Sequence, residues 1–129
     1  MIRTEDISKI FRTQEVETRA LHQVSLHIRQ GEFVAVMGPS GCGKSTLLNI
    51  LGWLDSPSQG SYYFDGSPAR KLSERDRTFL RRGNIGFVFQ EFNLIDELNV
   101  FENVEVPLNF LNISARKRKE RVEEILYRL

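Results

Sequence analysis

A glycine-rich segment constrains the fold of this chain more than any other feature. Residues 38–45 read Gly-Pro-Ser-Gly-Cys-Gly-Lys-Ser and fit the spacing G-x-x-x-x-G-K-[ST]. They follow the continuous apolar run 33–37 and precede 44–54, where leucine and isoleucine recur at helical spacing. Such a match arises by accident in roughly one chain of this length in a few hundred. The segment, called the phosphate loop below, therefore predicts a tight turn between a buried strand and a helix.

The chemistry of phosphate binding explains this spacing. Small residues let consecutive backbone N–H groups turn inward around a phosphate chain, and the following helix directs its positive end at the same anion. Lys44 is predicted to reach the β- and γ-phosphates, and the hydroxyl of Ser45 to bind Mg²⁺. The residues predicted to hold the nucleotide here are Gly38, Pro39, Ser40, Gly41, Cys42, Gly43, Lys44, Ser45 and Thr46.

Composition narrows the class of protein. The 129 residues suffice for one small domain, and 18 basic against 17 acidic side chains leave a formal charge of +1, unlike the basic excess of a nucleic-acid binder. No run approaches the ~18 apolar residues that span a bilayer, and the acidic start lacks an apolar signal segment. Cys42 is the single cysteine, which suits a reducing cytosol. These features predict a cytoplasmic protein that binds no nucleic acid.

Hydropathy patterns predict an α/β fold. Near-alternating apolar residues predict antiparallel strands at 2–11, 20–28 and 60–65. Continuous apolar runs predict parallel strands, covered on both faces, at 32–37 and 84–89. His22 and His27 alternate with Val24 and Leu26, so they are predicted to face solvent and not to bind metal.

Capping signals predict where the helices start. Ser73 with Asp76, and Asn99 with Glu102, have capping-box spacing. The predicted helices are 44–54, 73–82, 99–107 (stopped by Pro107), and one from Ser114 that presents a stripe of Val122, Ile125, Leu126 and Leu129. The basic run 116–121 alternates with glutamates at pairing distance, which predicts a solvated helix face.

Three blocks of sequence resemble the ATP-binding-cassette (ABC) ATPases: residues 31–52, residues 57–60 followed by Asp65-Gly66, and residues 85–95. Within that family, residues 99–108 are most similar to the ATPases of lipoprotein-releasing and macrolide-exporting systems. The resemblance covers nearly the whole chain. It implies an α/β fold in which the P-loop NTPase core of an ABC nucleotide-binding domain carries an antiparallel β subdomain, and it extends into the start of the helical subdomain.

The resemblance also implies roles for two further residues. Gln90 would sit near the γ-phosphate, where it touches Mg²⁺ and the attacking water; the alternative is that it merely ends a strand. Phe11 falls where the family carries an aromatic that stacks on adenine, an interaction worth about 1–3 kcal/mol. The alternative for Phe11 is a place in the core.

Parts that the family needs for hydrolysis are absent from this sequence. These are a Ser-Gly-Gly signature, a buried strand ending in Asp-Glu (the Walker B segment), and a histidine after Gln90. The segments Leu94-Ile95-Asp96 and Trp53-Leu54-Asp55 are too short and wrongly placed to serve as that strand. The chain is therefore expected to be the truncated, inactive N-terminal part of a transport ATPase that works on the inner face of the cell membrane. Its expected partners are a second nucleotide-binding subunit and a transmembrane permease, contacted through 90–108. The alternatives are a binding remnant without turnover and a soluble ABC ATPase of DNA repair or translation.

Overall fold

The computed structural model describes residues 1–68 and 72–129 of the chain. They form two compact units, Met1–Arg81 and Arg82–Leu129, which are described separately. Within the described residues no helix is long and apolar enough to cross a bilayer.

The first unit is built on an antiparallel sheet. Its strands are β1 (Ile2–Arg12), β2 (Glu17–Ile28), β3 (Gln59–Phe64) and β4 (Ser67–Pro68), in the order β2-β1-β3-β4. β1 and β2 form a hairpin closed by a bond from the N–H of Thr13 to the carbonyl of Val16, 2.9 Å long. The three predicted antiparallel strands are confirmed, and both histidines of β2 are exposed as predicted.

Helix α1 (Lys44–Leu51) supplies the core of this unit together with the sheet. The buried apolar residues of the unit are Ile7, Leu21, Leu47, Ile50, Leu51, Trp53 and Tyr62. The helix ends at Leu51, before the predicted position 54, because Trp53 turns the chain at a φ of +62°. That turn buries the indole edge-to-face against Tyr62 and Phe64, with ring centroids 5.7 and 5.5 Å apart. Aromatic packing between elements thus overrides the helical periodicity.

Tyr62 links the sheet to the end of α1 through a hydrogen bond. Its hydroxyl donates a 2.7 Å hydrogen bond to the carbonyl of Leu51, and burial raises the pKa of Tyr62 to about 12. The unfolded chain releases this proton near pH 10, the usual tyrosine value. The contribution of Tyr62 to the free energy of unfolding is therefore fully present below pH 10 and is lost as the pH rises through about 12.

Tyr62→Phe is accordingly expected to cost about 1 kcal/mol at neutral pH through the lost hydrogen bond. Between about pH 10 and 12 the variant should also lose less of its free energy of unfolding than the wild type does. Urea unfolding at several pH values measures both effects, with Tyr63→Phe as the control at a hydroxyl outside the core. An alkaline profile identical to that of the wild type would contradict this role.

The two predicted parallel strands are absent, and this prediction was wrong. Neither 32–37 nor 84–89 is a strand, and their side chains are largely in solvent: Phe33 is 96% exposed and Val88 100%. A strand exists through hydrogen bonds to a neighbour, and a parallel strand needs cover on both faces as well. Among the described residues neither run has such a neighbour, so the apolar composition alone does not produce the strand.

Helix α2 (Glu74–Arg81) comes after β4 in the chain. Its predicted start is confirmed: the Ser73 hydroxyl accepts from the N–H of Asp76, while the Asp76 carboxylate accepts from the N–H of Ser73. Those bonds lower the pKa of Asp76. At the other end of the helix Arg81 donates to the carbonyl of Trp53, which ties α2 to the turn after α1.

The second unit contains α3 (Val100–Asn109) and α4 (Ala115–Tyr127). Both predicted caps are confirmed: Asn99 and Glu102 form a reciprocal capping box, and the Ser114 side chain accepts from the N–H of Lys117. Pro107 does not stop α3, contrary to prediction. It stands in the last turn, where its missing N–H removes only one helical hydrogen bond.

The polar face of α4 carries the predicted ion pairs. Arg116 with Glu120 (2.9 Å), Lys119 with Glu123 (3.7 Å) and Arg128 with Glu124 (2.5 Å) are spaced four residues apart on exposed side chains. The predicted apolar stripe is only partly buried: Val122 is fully buried, whereas Ile125 and Leu129 are exposed. The solvated-face interpretation of the basic run holds for its other members, whereas Arg118 is half-buried and pairs with Glu105 of α3 at 3.1 Å.

Candidate nucleotide-binding site

The phosphate loop turns sharply between β2 and α1, as its glycines allow. Gly41 and Gly43 have φ values of +77° and +93°, in the left-handed region that favours glycine. Gly43 also caps α1, and a Cβ there would lie 2.4 Å from the carbonyl oxygen of Ala20. The end of the loop is therefore held against the backbone of β2, which only glycine permits.

Lys44 folds back over the loop that precedes it. Its ammonium donates to the carbonyls of Gly38 and Pro39, at 2.9 and 2.6 Å, and lies 3.7 Å from the sulfur of Cys42. A cation is thus held against the loop, beside the N-terminus of α1. The first N–H groups of a helix have no partner in the helix, and their partial positive charge attracts anions. Both features suit a phosphate chain.

Ser45 and Thr46 occupy the first turn of α1. The Ser45 hydroxyl has no hydrogen-bond partner among residues 1–68 and 72–129. A hydroxyl beside a phosphate-binding loop is an oxygen ligand of the kind that would hold Mg²⁺. The donor set therefore agrees with Mg-nucleotide: a lysine, unpaired helical N–H groups and a free hydroxyl.

Phe11 stands at the end of β1, on the same unit as the loop. Phe11 is 45% exposed, so the alternative of a core position is wrong. An exposed aromatic ring is available for stacking on a base. Its role toward adenine stays a prediction.

Gln90 belongs to the second unit. It is exposed and lies in a segment without helix or strand, so the predicted strand end is not formed. Its role toward Mg²⁺ and the attacking water stays a prediction. The residues that the structure gathers into one place are those of the phosphate loop and the start of α1.

Two polar residues near Phe11 were missed by the sequence-based prediction. The ammonium of Lys9 lies over the Phe11 ring, 5.1 Å from its centroid, and pairs with Asp55 at 2.5 Å. It also donates a 2.9 Å hydrogen bond to the carbonyl of Ser56. The contact of Lys9 with Phe11 could have been predicted from the sequence, because the two residues are two positions apart and share one face of a strand. Asp55 could be found only from the tertiary fold.

A glycine-rich loop with this spacing that opens a helix is the sequence signature of P-loop nucleotide-binding folds. The comparison with protein families makes the assignment specific, since the model described as "ABC transporter" matches residues 21–129. The chain belongs to the ABC transporter family.

Relatives and solved structures agree with this assignment. An ABC transporter ATP-binding protein of Methanocaldococcus jannaschii is 44% identical over 98% of this chain and 56% of its own length. The macrolide export ATP-binding/permease protein MacB of Brucella abortus is 47% identical over 98% of this chain but 20% of its own length. A solved dimer of the ATP-binding cassette MJ0796, in a post-hydrolysis state with ADP and Pi, has a TM-score of 0.89 at 45% identity, over 98% of this chain and 56% of that one.

The fold class predicted from sequence is confirmed by that likeness. This chain spans about half the length of the ATP-binding proteins that it matches and a fifth of the fused exporter.

Proposed function

We propose that this chain is the nucleotide-binding part of the ATP-binding subunit of an ABC transporter. The phosphate loop and Lys44 hold the phosphates, Ser45 binds Mg²⁺, and Phe11 stacks on adenine. Gln90, carried by the second unit, is assigned to Mg²⁺ and the attacking water. The observation that supports this function best is the placement of the Lys44 ammonium over the loop carbonyls, beside the N-terminus of α1.

The proposed partners follow from the relatives. MacB is named as an ATP-binding and permease protein in one chain, and the solved cassette is a dimer. We assign to this protein a second nucleotide-binding subunit and a transmembrane permease, the latter contacting 90–108. Within that range an open cavity of about 300 Å³ is lined mainly by apolar side chains, among them Leu94, Ile95 and Val104. With a permease as its partner, the protein is assigned to the cytoplasm, on the inner face of the membrane.

By itself the chain is proposed to bind Mg-ATP without turning it over. Hydrolysis requires a carboxylate that polarises water and another that holds the metal. Among residues 1–68 and 72–129 no strand ends in Asp-Glu, and the pair Asp96-Glu97 lies in a segment without strand or helix. The family as a whole couples ATP hydrolysis to transport. For this chain alone, binding without catalysis is the expected chemistry.

Lys44→Ala tests the proposal most directly. Hydrogen bonds to charged groups are worth about 1.5–3 kcal/mol, so the Kd for Mg-ATP is expected to rise by about ten- to a hundredfold. Titration calorimetry of the 129-residue chain provides the measurement. Lys117→Ala is the matched control, since it removes the same charge from an exposed position of α4, a helix of the second unit.

Two results would count against the proposal. Equal affinities for wild type and Lys44→Ala would remove the phosphate loop from nucleotide binding. Steady-state phosphate release by the wild type above the Lys44→Ala rate would show that the chain is catalytic after all.

A further inference from the structure

The end of β1 carries a partly buried cation, Lys9, next to the aromatic ring of the proposed nucleotide site. The Lys9 side chain is only 13% exposed, although lysine is among the residues least often buried. Burying an ammonium is costly unless it is paired and hydrogen-bonded. Here it is both, through the carboxylate of Asp55 at 2.5 Å and the carbonyl of Ser56 at 2.9 Å.

The two anchors of Lys9 belong to the segment that follows α1. Asp55 and Ser56 come just after the turn at Trp53, whose indole is buried in the core. The same turn is held from α2, because Arg77 donates to the Ser56 hydroxyl and Arg81 to the carbonyl of Trp53. The position of the ammonium is therefore fixed by the helix that starts at the phosphate loop.

The third partner of Lys9 is the ring of Phe11. The ammonium lies over that ring at 5.1 Å from its centroid, within the ~6 Å reach of a cation–π interaction. Phe11 as a whole residue is 45% exposed. Because the cation covers one face of its ring, the opposite face is the one left for a base. A ring held in this way loses less freedom when a base stacks on it, which favours binding.

We propose that Lys9 is a positioning residue for the base. It fixes the orientation of the Phe11 ring relative to α1, so that the base and the phosphates are received at a set distance from each other. This role rests on the proposed stacking of adenine on Phe11. It assigns to Lys9 no direct contact with the nucleotide.

The test compares two ligands, Mg-ATP and Mg-bound inorganic triphosphate, which has phosphates but no base. Phe11→Ala should weaken Mg-ATP binding about 5- to 150-fold and leave triphosphate binding unchanged. Lys9→Met, which keeps the aliphatic stem, should weaken Mg-ATP binding about two- to fivefold and also leave triphosphate unchanged. Lys9→Arg, which keeps a cation, should restore most of the affinity. Lys119→Met is the matched control on α4, at an exposed position.

A double-mutant cycle separates this role from a structural one. In the Phe11→Ala background, Lys9→Met should no longer change the affinity for Mg-ATP. A merely structural lysine would instead weaken both ligands alike, or keep its full effect without Phe11, and either result would overturn the proposal. If Phe11→Ala is itself silent, the adenine-stacking part of the proposed function fails and the Lys9 proposal falls with it. If Phe11→Ala acts and Lys9→Met is silent, only the Lys9 proposal fails.

Discussion

Gly43→Ala is expected to remove about 2–4 kcal/mol from the free energy of unfolding, the sum of backbone strain and overpacking. The φ of +93° at this position is unfavourable for alanine by about 1 kcal/mol. The new Cβ would also lie 2.4 Å from the carbonyl oxygen of Ala20 and 2.9 Å from a methyl group of Leu21. The oxygen of Ala20 is a backbone atom of β2, and its neighbours Arg19 and Leu21 are paired with β1, so it cannot move freely. Overpacking of this kind costs about 1–3 kcal/mol more.

Gly41→Ala is the matched control for that substitution. Gly41 lies in the same loop with a φ of +77°, yet a Cβ added there would meet nothing within 4 Å. It should therefore lose only the conformational part, about 1 kcal/mol. Urea unfolding in the absence of nucleotide measures both variants. Equal losses would show that the contact of the loop with β2 contributes nothing to stability.

Local signals in the sequence predicted most of the fold. The caps at Ser73, Asn99 and Ser114 join residues only three positions apart, so the sequence alone contains the information that predicts them. The hairpin of β1 and β2 follows from alternation over neighbouring segments. In each case the interacting groups are close in the sequence and need no distant partner.

The errors in the predicted fold come from long-range contacts. The runs 32–37 and 84–89 have the composition of buried strands, but composition does not supply the neighbour that a strand requires. Likewise α1 ends early because Trp53 packs on aromatic rings of β3, which lies further along the chain. The hydropathy pattern of one segment contains no information on such tertiary contacts, so it cannot predict where they override helical periodicity.

In the candidate site, too, residues that are close in the sequence could be predicted, whereas residues that meet through long-range contacts could not. The phosphate loop could be predicted residue by residue, because the motif is contiguous and its chemistry fixes each position. The pair Lys9 and Asp55, separated by 46 positions, could not. Its members meet only because β1 passes beside the turn after α1.

Gly60→Ala is expected to lower the free energy of unfolding by about 2–4 kcal/mol as well, for the same two reasons. Gly60 has a φ of +88°, and a Cβ there would lie 2.4 Å from the carbonyl oxygen of Asp6 and 2.6 Å from that of Glu5. Both are backbone atoms of β1, at an irregularity in its pairing with β3 where Asp6 itself has a φ of +48°. Backbone at such a site cannot rotate away as the end of a side chain does, so conformational strain and overpacking add together.

Gly66→Ala provides the control, since Gly66 has a φ of +77° in the neighbouring turn and open space within 4 Å of where its Cβ would be. Urea unfolding should show about 1 kcal/mol of loss there, and equal losses at the two glycines would contradict the close approach of β3 to β1. Gly60→Ala is also expected to affect the nucleotide-binding site. β3 carries Tyr62, whose hydroxyl holds the carbonyl of Leu51 at the end of α1. Separating β3 from β1 therefore loosens the helix that begins at the phosphate loop, and Gly60→Ala should weaken Mg-ATP binding although it lies outside the loop.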